Sequence, residues 1–328
     1  MRLQITHETV YHYVPAVETA QHMAYLTPLH NTTQTLLDHS LQVSPEPAQI
    51  STTRDVFGNT RSFFSLQVPH TRLQVMATSQ VSTQAVRLPT SDIAWEAVRE
   101  QFRYQAGAPF DAANEFVFVS PMVPRDAEFL AYARPSFTAG ASLMAASIDL
   151  MHRIYRDFSY ESQSTQVNTP ALEALAQRKG VCQDFAHILI ACLRSMGLPA
   201  RYVSGYLLTV PAPGTVKLRG SDASHAWAAV YLPDLPEGER WLDLDPTNDR
   251  AGWPSPGEDY VTLATGRDFS DVSPMRGVIH GGARHTLKVG VTVEPMAVPP
   301  DSMRQTQSQS QGFGQSQNQS QNSSYDKP

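Results

Sequence analysis

Residues 1–85 alternate apolar and polar positions with the period of a β-strand. The runs LQITHETVYHYV, LLDHSLQVSP, RSFFSLQVPH and LQVMATSQVST are rich in β-branched and aromatic residues, the pattern of half-buried strands. Between two such runs, DVFGNTR (Asp55–Arg61) carries Gly-Asn, a hairpin signal. The alternation predicts an antiparallel β-domain over residues 1–85.

From Ser91 the spacing becomes helical. In SDIAWEAVREQFRYQ, Ile93, Trp95, Val98 and Phe102 follow Ser91, a residue suited to capping. DAEFLAYARPSF and ASLMAASIDLMHRIYRDFSY predict two further helices, the first stopped by Pro135. NTPALEALAQRKG predicts a short helix capped by Thr169, with Pro170 in its first position and Gly180 closing it. The next helix is the most sharply written. Phe185, Ile188, Leu189, Cys192, Leu193 and Met196 form one apolar stripe, and Gly197 and Pro199 mark its end. ARYVSGYLLTV, SHAWAAVYL and RWLDLD then predict three short strands, the last two joined by PDLPEGE, and RHTLKVGVTVEP (Arg284–Pro295) a further strand pair. Residues 301–328 are Gln/Ser/Asn-rich and are expected to be disordered, since such composition cannot bury a core. The fold class is therefore α+β. A β-domain (1–85) precedes a second domain (86–300, core 150–260), and the tail (301–328) follows.

Composition narrows the function. The 328 residues are 41% hydrophobic and 17% charged, with a formal net charge of -6, a globular balance without the basic stripe of a nucleic-acid binder. No apolar run reaches the roughly 18 residues of a membrane helix, and the N-terminus lacks the apolar block of a signal peptide. A soluble, cytoplasmic protein with neither nucleic-acid nor membrane partner is expected. The two cysteines, Cys182 and Cys192, lie roughly 15 Å apart if one helix carries both, beyond the ~7 Å that a disulfide spans. With no C-x-x-C or H-x-x-x-H pairing, neither metal nor cofactor is expected.

The two thiols occupy different settings. Cys192 lies within the apolar stripe between Ala191 and Leu193 and reads as a small core hydrophobe. Cys182 occupies the first turn, where unpaired N–H groups and the helix dipole favour negative charge. A thiolate is the reactive form of cysteine, and the same N–H groups suit a developing oxyanion. Asp184 in that turn opposes the thiolate but suits the dipole.

A nucleophilic cysteine needs a base, and the base an orienting partner. His187 stands about 140° around the helix from Cys182 and points elsewhere. His225 opens a strand on which Trp227, Ala229 and Tyr231 share its face. If the turn sets Tyr231 opposite Trp241, Trp227 falls opposite Asp245, making Asp245 the diagonal neighbour of His225. Asp243 shares the face one pair further away.

RKGVCQDFAHILIACLRSMGLPARYVSGY, followed by ASHAWAAVYLP and RWLDLDPTND, resembles the transglutaminase-like family of cysteine enzymes. That family carries a G-x-C segment at a helix start, then an H-A-W strand, then a W-x-x-x-D-P-T strand end. The resemblance makes Cys182 the nucleophile, His225 the base and Asp245 its orienting acid. Residues 1–85, with THETVYHY and DVFGNTR, are similar to the β-domain preceding this core in bacterial members. The implied fold is papain-like, with the cysteine helix packed on an antiparallel sheet bearing the histidine and acid. This chain is too short for the added β-domains of the animal cross-linking enzymes and contains no EF-hand loop. For the Trp or Tyr that those enzymes place at the oxyanion, the candidates are Tyr160 and Tyr206. Trp227 and Trp241 read as core or pocket-wall residues.

The chemistry so implied is thiolate attack on an amide of a protein or peptide, through an acyl-enzyme. Water as acceptor makes the protein a peptidase or amidase; an amine acceptor makes it a transglutaminase. Small bacterial members are regarded as protease-like, which favours hydrolysis. A non-catalytic peptide-binding module is the remaining alternative, although the fold's binding modules typically lack the cysteine or histidine.

Overall fold

The computed structural model describes residues 1–296 except 86, 108, 162–163, 210–223, 254 and 283. The expected tail, 301–328, lies outside the described residues.

The first sheet is organised by one long strand, β1 (Arg2–Ala24). Leu3, Ile5, His7 and Thr9 are buried along it, with the less buried Gln4, Thr6 and Glu8 between them, the alternation of a strand packed on one face. β5 (His70–Thr83) runs antiparallel to its first half and carries β2 (Gln34–Ser44) outside it. β4 (Thr60–Leu66) pairs with the second half and carries β3 (Gln49–Arg54). The turn between β3 and β4 is the predicted Gly-Asn hairpin. Gly58 sits at φ +83°, and the Asp55 carboxylate accepts from the Phe57 and Asn59 N–H groups, both at 2.9 Å.

Nothing in the linear pattern signals that the chain returns to this sheet. β13 (Met275–Gly281) and β14 (Arg284–Pro295) both pair antiparallel with β1. Arg284–Pro295 is thus one strand, not the predicted pair. It joins β1 because its alternation buries Val291 and Val293 beside Leu3 and Ile5.

The helical stretch comprises α1 (Trp95–Gln101), α2 (Ala127–Ala133), α3 (Leu143–Asp157), α4 (Ala171–Gln177) and α5 (Cys182–Ser195). Ser91 does not cap α1. Its hydroxyl donates to Asp234 at 3.0 Å, and the chain stays extended through Ala94, which bridges to Ser142. α2 does not stop dead at Pro135: a single 3-10 turn, Arg134–Ser136, carries on from its end. Thr169 does not cap α4. Its hydroxyl accepts from the Gln166 N–H at 2.8 Å, and Pro170 is the cap residue. α4 ends on Arg178 in the left-handed region at φ 57°. The Arg178 guanidinium stacks 4.4 Å from the Tyr132 ring centroid and 4.8 Å from that of Phe158, contacts that offset the αL cost. Gly180 instead enters a two-residue parallel pairing of β6 (Ser159–Tyr160) with β7 (Lys179–Gly180).

The second sheet has the order β11-β10-β9-β8-β12, built from β8 (Ala200–Leu207), β9 (Ser224–Tyr231), β10 (Trp241–Asp245), β11 (Arg250–Gly252) and β12 (Tyr260–Gly266). α6 (Phe269–Val272) follows β12. Ala226, Ala228 and Val230 of β9 share the main core with Ile188, Leu189 and Cys192 of α5. The small side chains on β9 let a helix lie close to the sheet. On the opposite face, Val203, Trp227, Ala229 and Tyr260 form a smaller cluster.

The two sheets meet at β12. Leu3, Ile5, Val291 and Val293 pack against Tyr206, Val261 and Leu263. Two buried amides complete the junction. Gln34 exchanges both hydrogen bonds with the Thr262 backbone at 2.8 Å each, and Asn59 does the same with Thr265 at 2.7 and 2.8 Å. Each amide stands in for a strand partner, satisfying backbone groups that burial would otherwise leave unpaired. Residues 1–295 accordingly form one compact unit.

Candidate active site

Cys182 is the first residue of α5 and is half-buried, whereas Cys192 is fully buried; both are free thiols. The start of α5 is locked by Asp184. Its Oδ2 accepts from the Val181 N–H at 2.8 Å and from the Thr165 hydroxyl at 2.6 Å. A Cβ on Gly180 would sit 2.7 Å from that oxygen, so the glycine two residues before Cys182 makes room for the cap. In the sequence Asp184 reads only as a charge in the first turn. Its side chain is in fact turned back onto the entering backbone, which fixes where Cys182 leaves the loop.

β9 and β10 pair in the register anticipated, with Tyr231 opposite Trp241 and Ala229 opposite Asp243. Asp245 thereby reaches His225, whose Nε2 donates to Asp245 Oδ2 at 2.7 Å. The Cys182 thiol is close enough to act on the same ring. Burial alone would lower the His225 pKa. The hydrogen bonds to Asp245 and Cys182, with their charges, outweigh it and raise the ring from 6.5 to about 10.

Asp245 is completely buried and amply supplied with donors. Besides His225, Oδ2 accepts from the Tyr260 hydroxyl at 2.7 Å and from Asn248 Nδ2 at 2.8 Å, while Oδ1 accepts from the Thr247 N–H at 2.9 Å. Burial pushes its carboxyl up, but the bonds from His225, Tyr260 and Asn248 prevail and hold it below 3.8. Asp243 serves the wall of the site instead, where its Oδ2 accepts from Trp227 Nε1 at 2.8 Å. Burial raises Asp243 to about 7, against the Arg201 charge and that hydrogen bond.

Trp227 is fully buried and forms the wall behind His225, with ring centroids 6.0 Å apart. Its indole lies over Gly205, where an added Cβ would come within 2.4 Å of the ring and 2.2 Å of the Val261 carbonyl oxygen. Gly205→Ala is therefore expected to lower stability by about 3 kcal/mol or more. Urea unfolding would show it, and a midpoint equal to that of the parent would contradict the packing described.

The remaining candidates divide clearly. Tyr206 is buried and bonds His7 Nδ1 at 2.9 Å in the junction between the sheets, so it does not serve the oxyanion. Tyr160 is 56% exposed and close enough to Cys182 for the thiol's charge to raise its pKa, after the larger effect of burial. His187 is buried and accepts from the Phe269 N–H at 3.2 Å; burial lowers it to about 4, as expected of a neutral structural imidazole. Trp241 is a packing residue, with Phe116 and Tyr231 edge-on to it and Arg201 4.3 Å above its ring. Tyr260 and Asn248 are hydrogen-bond partners of Asp245 that the sequence patterns do not single out. Asn248 lies inside the D-P-T-N turn, but nothing in the linear sequence links Tyr260 to Asp245. Among the described residues no group of three or more His, Cys, Asp or Glu side chains is placed to hold a metal, and no helix is long and apolar enough to cross a membrane.

Residues 3–82 match the bacterial transglutaminase-like N-terminal region, and residues 135–246 match the transglutaminase-like superfamily. An uncharacterized protein of Mycobacterium tuberculosis is 42% identical over 301 residues, which cover 90% of this chain and 93% of that protein. One of Mycobacterium leprae is 30% identical over 305 residues, covering 90% and 99% respectively. A crystal structure described as "a Putative Cysteine Protease from Cytophaga hutchinsonii" superimposes with a TM-score of 0.67. It has 22% identity and covers 92% of this chain and 93% of its own.

Proposed function

Since the chain belongs to the transglutaminase-like superfamily, we propose that it is a cysteine-dependent amide or peptide hydrolase working through an acyl-enzyme. The observation that carries this reading is one imidazole held by Asp245 at 2.7 Å, with the thiol at the N-terminus of α5 close enough to act on the same ring.

In this reading His225 is charged, as its raised pKa supports, and Cys182 attacks as the thiolate, the reactive form of cysteine. The sulfur attacks the amide carbonyl carbon, and the carbonyl π-bond electrons move to oxygen. N–H groups of the first turn of α5, which lack intrahelical partners, receive that oxyanion. As the tetrahedral intermediate collapses, the C–N bond breaks and His225 gives its proton to the leaving amine. Water then attacks the thioester while His225 takes up its proton, releasing the acid and the thiolate. Asp245 stays ionised throughout and keeps the Nε2–H directed at itself. The half-exposed Tyr160 is the side chain we assign beside the oxyanion.

The same residues serve an amine acceptor equally well, and hydrolysis is distinguished by experiment. A peptide library incubated with and without an added primary amine should yield free acid in both cases. Product captured mainly as the amide of the added amine would replace the hydrolase with a transglutaminase. Absence of turnover beside selective peptide binding would replace both with a binding module.

A further inference from the structure

Tyr260 opens β12, which is separated from β10 by β8 and β9 in the sheet. Its hydroxyl nevertheless donates to Asp245 Oδ2 at 2.7 Å. The reach is made possible by the face it crosses. Gly205 of β8 presents no side chain, and the Trp227 indole fills that space. Tyr260 stands edge-on against the indole, with centroids 5.4 Å apart and planes at 88°. Its own ring lies 5.9 Å from that of His225, and Arg250 covers it at 5.6 Å.

The hydroxyl binds Oδ2, the same oxygen that accepts from His225 Nε2. It is not needed to orient the carboxylate, because the Thr247 N–H holds Oδ1 and Asn248 holds Oδ2. A further hydroxyl donor on the shared oxygen, beside Asn248, spreads its negative charge and weakens its pull on the imidazole proton. We infer that Tyr260 is a positioning residue that acts through Asp245. It tempers the carboxylate so that His225 can be charged beside Cys182 yet still release its proton to a leaving amine. This inference rests on the proposed Cys182–His225–Asp245 arrangement. The titratable groups that face the His225 ring are Cys182 from α5, Asp245 from β10 and Tyr260 from β12; Arg250 of β11 lies over Tyr260, and Asp243 of β10 bonds the Trp227 indole.

The test is the proton NMR signal of His225 Nε2–H in the full chain, identified by its loss in His225→Ala. In Tyr260→Phe this signal should move further downfield, and His225 should stay protonated to a pH higher by about half a unit to one unit. Alkylation of Cys182 by iodoacetamide near neutral pH should be at least as fast as in the parent. Incorporation of 3-fluorotyrosine at position 260, a stronger donor, should move the signal the opposite way, which gives an independent reading should the phenylalanine variant fold poorly. An unchanged signal in a folded variant, or signal loss with slowed alkylation, would overturn the tempering role and leave Tyr260 a packing residue. Asp245→Ala separates the two levels of the proposal. If its Nε2–H signal stays where the parent's lies, the arrangement itself fails, whatever Tyr260 does.

Discussion

Cys182→Ala is expected to lower amide turnover by about four orders of magnitude or more, while thermal stability changes little. The sulfur is the only atom in the proposed site that forms a bond to substrate, and no neighbour can take its place. Cys192, ten residues along α5, is fully buried, and burial pushes its thiol well up. Half-exposed Cys182 stands beside an imidazole whose pKa is about 10. Iodoacetamide near neutral pH should therefore label Cys182 rapidly and leave Cys192 untouched in the folded protein, as peptide mass spectrometry would reveal. Equal labelling of both thiols, or turnover surviving in Cys182→Ala, would rule out the proposed nucleophile.

Asp245→Ala should lower turnover by about 10³- to 10⁴-fold and also destabilise the fold by about 3–5 kcal/mol, the usual consequence of breaking a buried ion pair. Four donors, from His225, Tyr260, Asn248 and the Thr247 N–H, lose their acceptor together. The pH dependence is specific. His225 has its folded pKa raised from 6.5 to about 10, so its contribution is complete below pH 6.5 and is lost as pH rises through about 10. Asp245 has its folded pKa held below 3.8, so its contribution is present above pH 3.8 and is lost as pH falls through the folded value. The gap in melting temperature between the parent and Asp245→Ala should then be widest between about pH 4 and 6.5 and narrow towards pH 10. A gap independent of pH would show that Asp245 is not paired with a charged His225.

Local patterning was legible wherever one element decided its own structure. The apolar stripe from Phe185 to Met196 and the Gly197 stop mark out α5, which spans Cys182–Ser195. The turn between β9 and β10 sets Tyr231 opposite Trp241, and the strict two-residue period then places Asp245 beside His225. Helix starts were less legible. Ser91 and Thr169 are good capping residues, but the hydroxyls found other partners in Asp234 and the Gln166 N–H, a tertiary override of a weak local preference.

What the sequence determined by itself was therefore the contents of each strand and helix, the setting that distinguishes Cys182 from Cys192, and the pairing of His225 with Asp245. These depend on residues close in the chain or joined by one short turn, where spacing fixes geometry. What only the tertiary structure decided was the closure of the first sheet by β13 and β14, the Gln34 and Asn59 amides that bond β12, and the Tyr260 hydroxyl on Asp245. Each of these unites residues at least 15 positions apart, without a single turn to join them. Their meeting depends on the packing of one sheet face against another, and on the space that Gly205 leaves open, which no linear period encodes.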